Sequence, residues 1–127
     1  MRDCLIQLTN HPGDLSRVAQ ALGRRGVNIK SLAGMTIGGV AMVRILTDNI
    51  VGARGALEAA SIPFTEGEVN QILLENQAGV LANVTSRLGE AGINLEAVYV
   101  TGVADDLIEL AIVSDNPKKT KKILEEF

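Results

Sequence analysis

The side chains able to do chemistry are few. His11 is the sole histidine and Cys4 the sole cysteine. His11 stands in a turn beside Pro12, Gly13 and Asp14. Acid–base work by a histidine needs an oriented partner, and no such partner recurs at a fixed spacing. Asp14 reads as a first-turn charge that complements a helix dipole. Cys4 lies in the alternating run Asp3–Thr9, the setting of a buried, inert thiol. One cysteine excludes an intramolecular disulfide, and nothing has the spacing of a zinc site. Asp105 and Asp106 could meet a cation, but turn chemistry accounts for them. No nucleophile–base pair and no phosphate-binding Gly–Lys–Ser/Thr run is present. The chain therefore reads as non-catalytic, with no cofactor and no metal.

A different chemistry is written twice. Asn10-His-Pro-Gly-Asp-Leu15 is followed 66 positions later by Asn76-Gln-Ala-Gly-Val-Leu81. Leu22-Gly-Arg-Arg-Gly26-Val-Asn28 is followed at the same offset by Leu88-Gly-Glu-Ala-Gly92-Ile-Asn94. Such a repeat means one module built twice. Each loop ends a strand and opens a helix. Helix N-termini carry free N–H groups and partial positive charge, which suit a carboxylate. Gly13 and Gly79 allow close approach to the backbone. Asn10 and Asn76 can donate and accept, as an ammonium-plus-carboxylate ligand requires. The same residues also fit plainer roles: an Asx-turn or cap for the asparagines, the turn itself for the glycines, core for Leu15 and Leu81. Gly23, Gly26, Gly89 and Gly92 read as helix terminators. Asn28 and Asn94 open a strand, where they fix a turn or face a module boundary.

The elements that position these loops follow from periodicity. Cys4, Ile6 and Leu8 alternate as in a half-buried strand. Leu15, Val18, Ala19 and Leu22 form a helix stripe. Val27, Ile29, Ala33, Met35 and Ile37 alternate on one face up to a Gly38-Gly39 hairpin, and Val40–Leu46 returns. Asp48 or Asn49 caps a second helix, and Ile62–Glu66 is a short strand. The second copy repeats this order, with Leu81, Val84 and Leu88 inward and Asn116-Pro117 opening the last helix. Thr120, Ile123, Leu124 and Phe127 form that helix's stripe. The expected fold is α+β: two tandem ferredoxin-like βαββαβ modules, 1–67 and 68–127, the second lacking its fourth strand. Val69–Glu75 is then an open edge that invites pairing. Leu5, Leu32, Val43, Ile45, Leu73, Val98, Val100, Leu110 and Ile112 alternate with the helix-facing set. They are expected to form an apolar sheet face that packs on another sheet, within the chain or in a homo-oligomer.

Composition narrows the partners. Of 127 residues 46% are hydrophobic, so a core needs no staples, and the net charge of -3 gives no nucleic-acid footprint. Phe64, Tyr99 and Phe127 are the only aromatics, too few for stacking bases on the strands. The lysines at 118, 119, 121 and 122 are balanced by nearby acids and read as a solvated helix face. With no long apolar run and no leader pattern, a cytoplasmic location is expected, with no membrane partner.

Asn-x-Pro-Gly-x-Leu after a first strand, a helix ending Leu-Gly-x-x-Gly-[Val/Ile]-Asn, and the βαββαβ order resemble ACT domains, small regulatory amino-acid-binding modules. The resemblance covers the whole chain as two copies. It is most specific in the first, where Asn10, Pro12, Gly13, Leu15, Gly26 and Asn28 match, and looser in the second, where Gln77-Ala78 replaces x-Pro. It implies a stand-alone tandem-ACT regulator that binds an amino acid at a module or subunit boundary. The residues involved would be Asn10, Pro12, Gly13, Asp14, Leu15 and Asn28, with Asn76, Ala78, Gly79, Val80, Leu81 and Asn94. A regulated protein partner is implied with them. The residues alone leave a second reading open: a structural or protein-interaction module without a ligand site.

Overall fold

The alternation in the first residues becomes strand β1 (Arg2–Leu8) in the computed structural model, which describes residues 1–127. It leads through a loop to helix α1 (Asp14–Arg24), then the hairpin β2 (Ile29–Ile37) and β3 (Val40–Thr47), helix α2 (Ile50–Ala59) and β4 (Thr65–Glu68). The second copy runs β5 (Asn70–Glu75), α3 (Val80–Glu90), β6 (Leu95–Ala104), β7 (Leu107–Ser114) and α4 (Pro117–Leu124). The chain divides into two compact units, Arg2–Gly67 and Glu68–Phe127 with Met1. Each is α+β and ferredoxin-like. The first has a four-stranded sheet in the order β2-β3-β1-β4, the second a three-stranded sheet in the order β5-β7-β6. With no fourth strand in the second sheet, β5 is an edge, as the repeat leads one to expect.

Helix ends follow local rules. In α1, Gly26 sits at φ +69° while Gly26 and Val27 donate their N–H to the Gly23 and Leu22 carbonyls. Gly92 and Ile93 do the same to Gly89 and Leu88, so both helices close on a left-handed glycine. Gly23 and Gly89 are not terminators: they lie inside α1 and α3 and supply the accepting carbonyls. At α2 and α4 the caps are asparagines. The Asn49 side chain accepts from the Gly52 N–H at 2.9 Å, and that of Asn116 from the Lys119 N–H at 3.1 Å.

The first core joins Cys4, Ile6, Val43 and Ile45 of the sheet to Val18 and Leu22 of α1 and Ala53 and Leu57 of α2. The second joins Ile72, Leu74, Leu110 and Ile112 to Val84 and Leu88 of α3 and Ile123 and Leu124 of α4. Burial pushes the Cys4 thiol up to about 11, with Glu66 and Asp3 adding to it. Buried Asp3 receives the Arg44 guanidinium at 2.9 Å. Glu66 receives Arg54 at 2.7 Å and Arg2 at 2.9 Å.

Strand facing departs from the alternation read along the chain. Val43, Ile45, Leu110 and Ile112 belong to the helix-packed cores, not to an opposite apolar face. In β3 and β7 both faces are apolar apart from Arg44, Glu109 and the terminal Thr47 and Ser114, so the register decides which set turns inward. In β2 the register shifts between Ile29 and Ser31. One extra residue inverts everything after it. Leu32 and Gly34 therefore pair with Ile45 and Val43 on the helix side, and Ala33, Met35 and Ile37 turn away. A shift between Leu95 and Ala97 does the same for Val98 and Val100, opposite Ile112 and Leu110. On the face away from the first unit's helices, Met35, Ile37, Val40 and Met42 are exposed. Ile62 is buried in the turn before β4, which starts later than the sequence pattern indicates. Phe127 is exposed rather than part of the α4 stripe.

Candidate functional site

The loop from β1 to α1 is held by its own polar groups. The Thr9 hydroxyl donates to Asp14 Oδ2 at 2.6 Å, and the His11 N–H donates to the same oxygen at 3.0 Å. His11 Nδ1 lies 3.1 Å from the Thr9 hydroxyl oxygen. These bonds, the Thr9 hydroxyl foremost, hold the Asp14 carboxyl below its usual range, so it stays ionised. Asn10 is in the left-handed region at φ +59°, which asparagine tolerates, and the Thr36 hydroxyl of β2 reaches its Oδ1 at 3.5 Å. Gly13 follows at φ +91°, and α1 begins at Asp14. Pro12 therefore lies before the cap, not in the first helical turn.

The second loop repeats the left-handed glycine but not the left-handed asparagine, and its side chains differ. Gly79 takes φ +88° and α3 begins at Val80. The Asn76 N–H donates to the Asp106 carbonyl at 2.6 Å, tying this loop to the β6–β7 hairpin, where Asp105 has φ +52°. Val80 stands where Asp14 does in the first copy, so the first turn of α3 has no acid. Neither helix has a side-chain cap bond at its N-terminus. This sets α1 and α3 apart from the asparagine-capped α2 and α4. The Asp14 N–H donates to the His11 carbonyl, and the following N–H groups of the first turn face outward without an intrahelical acceptor.

Leu15 and Leu81 are not core. They are 41% and 50% exposed, while Val18 and Leu22, and Val84 and Leu88, carry the packing. The turn that presents each helix N-terminus lifts its second residue clear of the sheet. Asn10, Pro12, Gly13, Asp14 and Leu15 are brought together in the first unit, and Asn76, Ala78, Gly79, Val80 and Leu81 in the second. Asn28 and Asn94 are not among them. The register runs from Cys4 opposite Ile45 to Leu8 opposite Ala41, and Ile29 lies opposite Thr47, so Asn28 is at the other end of its sheet. There the Asn28 N–H donates to the Asp48 carboxylate and that of Asn94 to Asp115, at 3.2 and 3.0 Å. They join the loop after one helix to the loop before the next.

The first loop opens on a depression of about 390 Å³ whose lining includes Asn10, His11, Asp14 and Thr36. A second, of about 320 Å³ and bordered by Leu32 and Gly34, shares Leu8, Leu15, Thr36 and Ala41 with it. Thr9, Thr36, Gly34 and Ala41 are absent from the residues singled out by sequence. Gly34 carried a usable signal, since a glycine inside a strand marks a close approach.

A family model described as the AHAS small subunit-like ACT domain matches residues 5–58, and the ACT domain model matches residues 71–127. The chain belongs to the ACT-domain family. It holds two ACT modules in tandem. Comparison with curated proteins gives no match. Among solved structures, a protein of Bacteroides thetaiotaomicron is 23% identical, with a TM-score of 0.88 over 98% of this chain and 86% of that one. The ligand-free regulatory subunit of aspartate kinase from Thermus thermophilus is 18% identical, with a TM-score of 0.71 over 98% and 87%. That from Thermus flavus is 17% identical, with a TM-score of 0.65 over 98% and 90%. At these identities the likeness is one of fold. No helix is long and apolar enough to cross a membrane.

Proposed function

We propose that this tandem-ACT chain is a non-catalytic regulator that binds a free α-amino acid at the loop between the first strand and first helix of an ACT module. The observation that carries the reading is the contrast between helix starts. At α2 and α4 an asparagine side chain accepts one first-turn N–H, whereas α1 and α3 start on left-handed glycines with no side-chain cap. An open first turn suits a ligand carboxylate, and the Asn10 amide and Asp14 carboxylate suit an ammonium. The solved relatives that are regulatory subunits of aspartate kinase support regulation by a small molecule, passed on to a protein partner.

Thermal-shift titration against the common amino acids tests this. A ligand specific for the native state at a hundred times its Kd adds about 2.7 kcal/mol and raises the midpoint. The Gly13→Val/Gly79→Val double variant, strained at both positive-φ positions, should lose that rise while still folding. No rise with any amino acid in the unaltered chain refutes the reading.

A protein-interaction module is the second reading. Met35 and Ile37, 65% and 69% exposed on the β2–β3 hairpin, favour it. Both readings accommodate a homo-oligomer through exposed apolar residues or the β5 edge. Light scattering over a dilution series measures that directly, and a monomer at every concentration rules it out.

A further inference from the structure

The two copies differ most at the outer edge of the strand that opens each. In the first unit β4 lies beside β1. The segment that leads into β4 fills the core beside α2: Ile62 is buried there, Phe64 packs against it, and the Ile62 N–H donates to the Leu57 carbonyl at 2.9 Å. In the second unit β5 has β7 on one side and no strand on the other. Between β5 and α4 there is an open cleft of about 400 Å³, whose lining includes Met1, Val69, Asn70, Lys121 and Leu124. Val69 and Leu124 give it an apolar base.

The free edge is ready to pair. The bond from the Asn76 N–H to the Asp106 carbonyl continues the β5–β7 register, in which Leu74 lies opposite Ile108 and Ile72 opposite Leu110. Main-chain groups alternate in direction along a strand, so Ile72 and Leu74 point theirs at β7, and Gln71, Leu73 and Glu75 point theirs outward. Val69, of the same parity, sends its N–H outward to the Met1 carbonyl at 2.7 Å, and the Glu75 carbonyl accepts from the Gln77 N–H. Gln71 and Leu73 each keep a main-chain donor and acceptor open, and Leu73 is 60% exposed. Such a row is a template for another strand. Charge narrows what fits. Residues 68–127 carry five Lys and Arg against ten Asp and Glu, whereas residues 1–67 carry seven against five. Glu68 and Glu125 border the cleft, and Glu75 ends the strand. A second copy pairing through its own β5 would bring one acidic module to another, which charge disfavours.

We propose that the second module takes up an extended segment of a partner protein as its fourth strand. The segment pairs along Gln71 and Leu73, places an aliphatic side chain in the cleft between β5 and α4, and carries basic residues toward Glu68 and Glu125. Main-chain bonds supply the attachment, and the cleft and the acids supply the selectivity. The first module shows the form of the occupant: Ile62 enters the core, and the strand Thr65–Glu68 follows it. The inference is independent of amino-acid binding, since neither Gly79 nor the first turn of α3 takes part.

The probe is a labelled peptide of residues 61–68 of this chain with Glu66→Lys and Glu68→Lys, titrated into the full chain by fluorescence anisotropy and mapped by amide chemical shifts. The expected result is one peptide per chain, with shifts at residues 69–75 and 117–125 and none in β1, whose edge β4 already covers. Ile62→Ala in the peptide should weaken binding about ten-fold through lost burial. Methylating the peptide's Thr65 and Gly67 amide nitrogens, which share the parity of Val69, should abolish it. The peptide that keeps both glutamates should bind more weakly at low salt, and the difference should shrink as salt is raised. In the chain, Leu73→Pro removes an outward N–H and spares the bonds to β7, so it should fold and lose the peptide. Glu125→Lys, at an exposed position, should narrow the preference for the basic peptide. No binding at millimolar peptide, shifts centred outside β5 and α4, undiminished binding of the methylated peptide, equal affinity for the acidic and basic peptides, or a folded Leu73→Pro chain that binds as before would overturn the inference. So would a dimer in light scattering that Leu73→Pro dissolves and the peptide leaves intact, which would give the edge to a second copy.

Discussion

Replacing Leu15 and Leu22 one at a time with alanine separates the depression beside the first loop from the core. Both lie on one stripe of α1, seven residues apart. Leu22 is 0% exposed and contributes to the first core. Its truncation removes the transfer energy of the lost carbons and leaves a cavity, about 2–5 kcal/mol together. Leu15 is 41% exposed and borders an open depression. Complete burial of a leucine is worth roughly 1.5–3 kcal/mol, so its partial burial is worth about 1 kcal/mol. An open site adds no cavity penalty, and alanine favours the helix slightly. Urea unfolding followed by circular dichroism reads the difference. With a slope of about 2 kcal/mol/M, Leu15→Ala lowers the midpoint by roughly 0.5 M and Leu22→Ala by 1 M or more. The equivalent pair Leu81 and Leu88, 50% and 0% exposed, should behave the same way. If Leu15→Ala costs as much as Leu22→Ala, Leu15 is core in solution, the depression is closed, and the reasoning from its exposure falls with it.

Glu66 supplies a pH dependence. The guanidinium groups of Arg54 and Arg2 hold its carboxyl down to about 2, below its ordinary 4.5. A depressed carboxylate favours the folded state fully above its unfolded pKa, and that stability is lost as pH falls through the folded value. Stability should therefore drop between about pH 4.5 and 2, and Glu66→Gln should flatten that part of the profile; an unchanged acid limb in the variant contradicts it. Cys4, raised from 9.0 to about 11 by burial, should resist thiol reagents at neutral pH in the native state and react on unfolding. Its contribution to stability is complete below pH 9 and lost on the way to 11, so labelling of the folded chain at pH 7 at the rate of free cysteine would refute its burial.

What could be read along the chain are features set by neighbours in sequence. The repeat, the element order, the left-handed glycines at 26 and 92, and the Asn116-Pro117 helix start all obey rules acting within a few residues, because they depend on backbone φ and on hydrogen bonds closed inside one turn. Gly13 and Gly79 belong to this class, and so does the clustering of Asn10 with Asp14. Strand facing does not. A single bulged residue after Ile29 reverses the parity of β2, and alternation counted straight through Lys30 and Ser31 misses it. Asn28 looks like a companion of Asn10 in the repeat, yet the helix between them carries it back to the other end of the sheet. Leu15 fits the helix stripe by period, but its exposure depends on where the helix axis meets the sheet. The depression beside Leu15 exists because Gly34 in one strand and Ala41 in the next fall close together, a juxtaposition made by hairpin register. Local conformation is a property of the chain. Which residues meet across strands, and what space they leave, is decided only when the sheet closes on its helices.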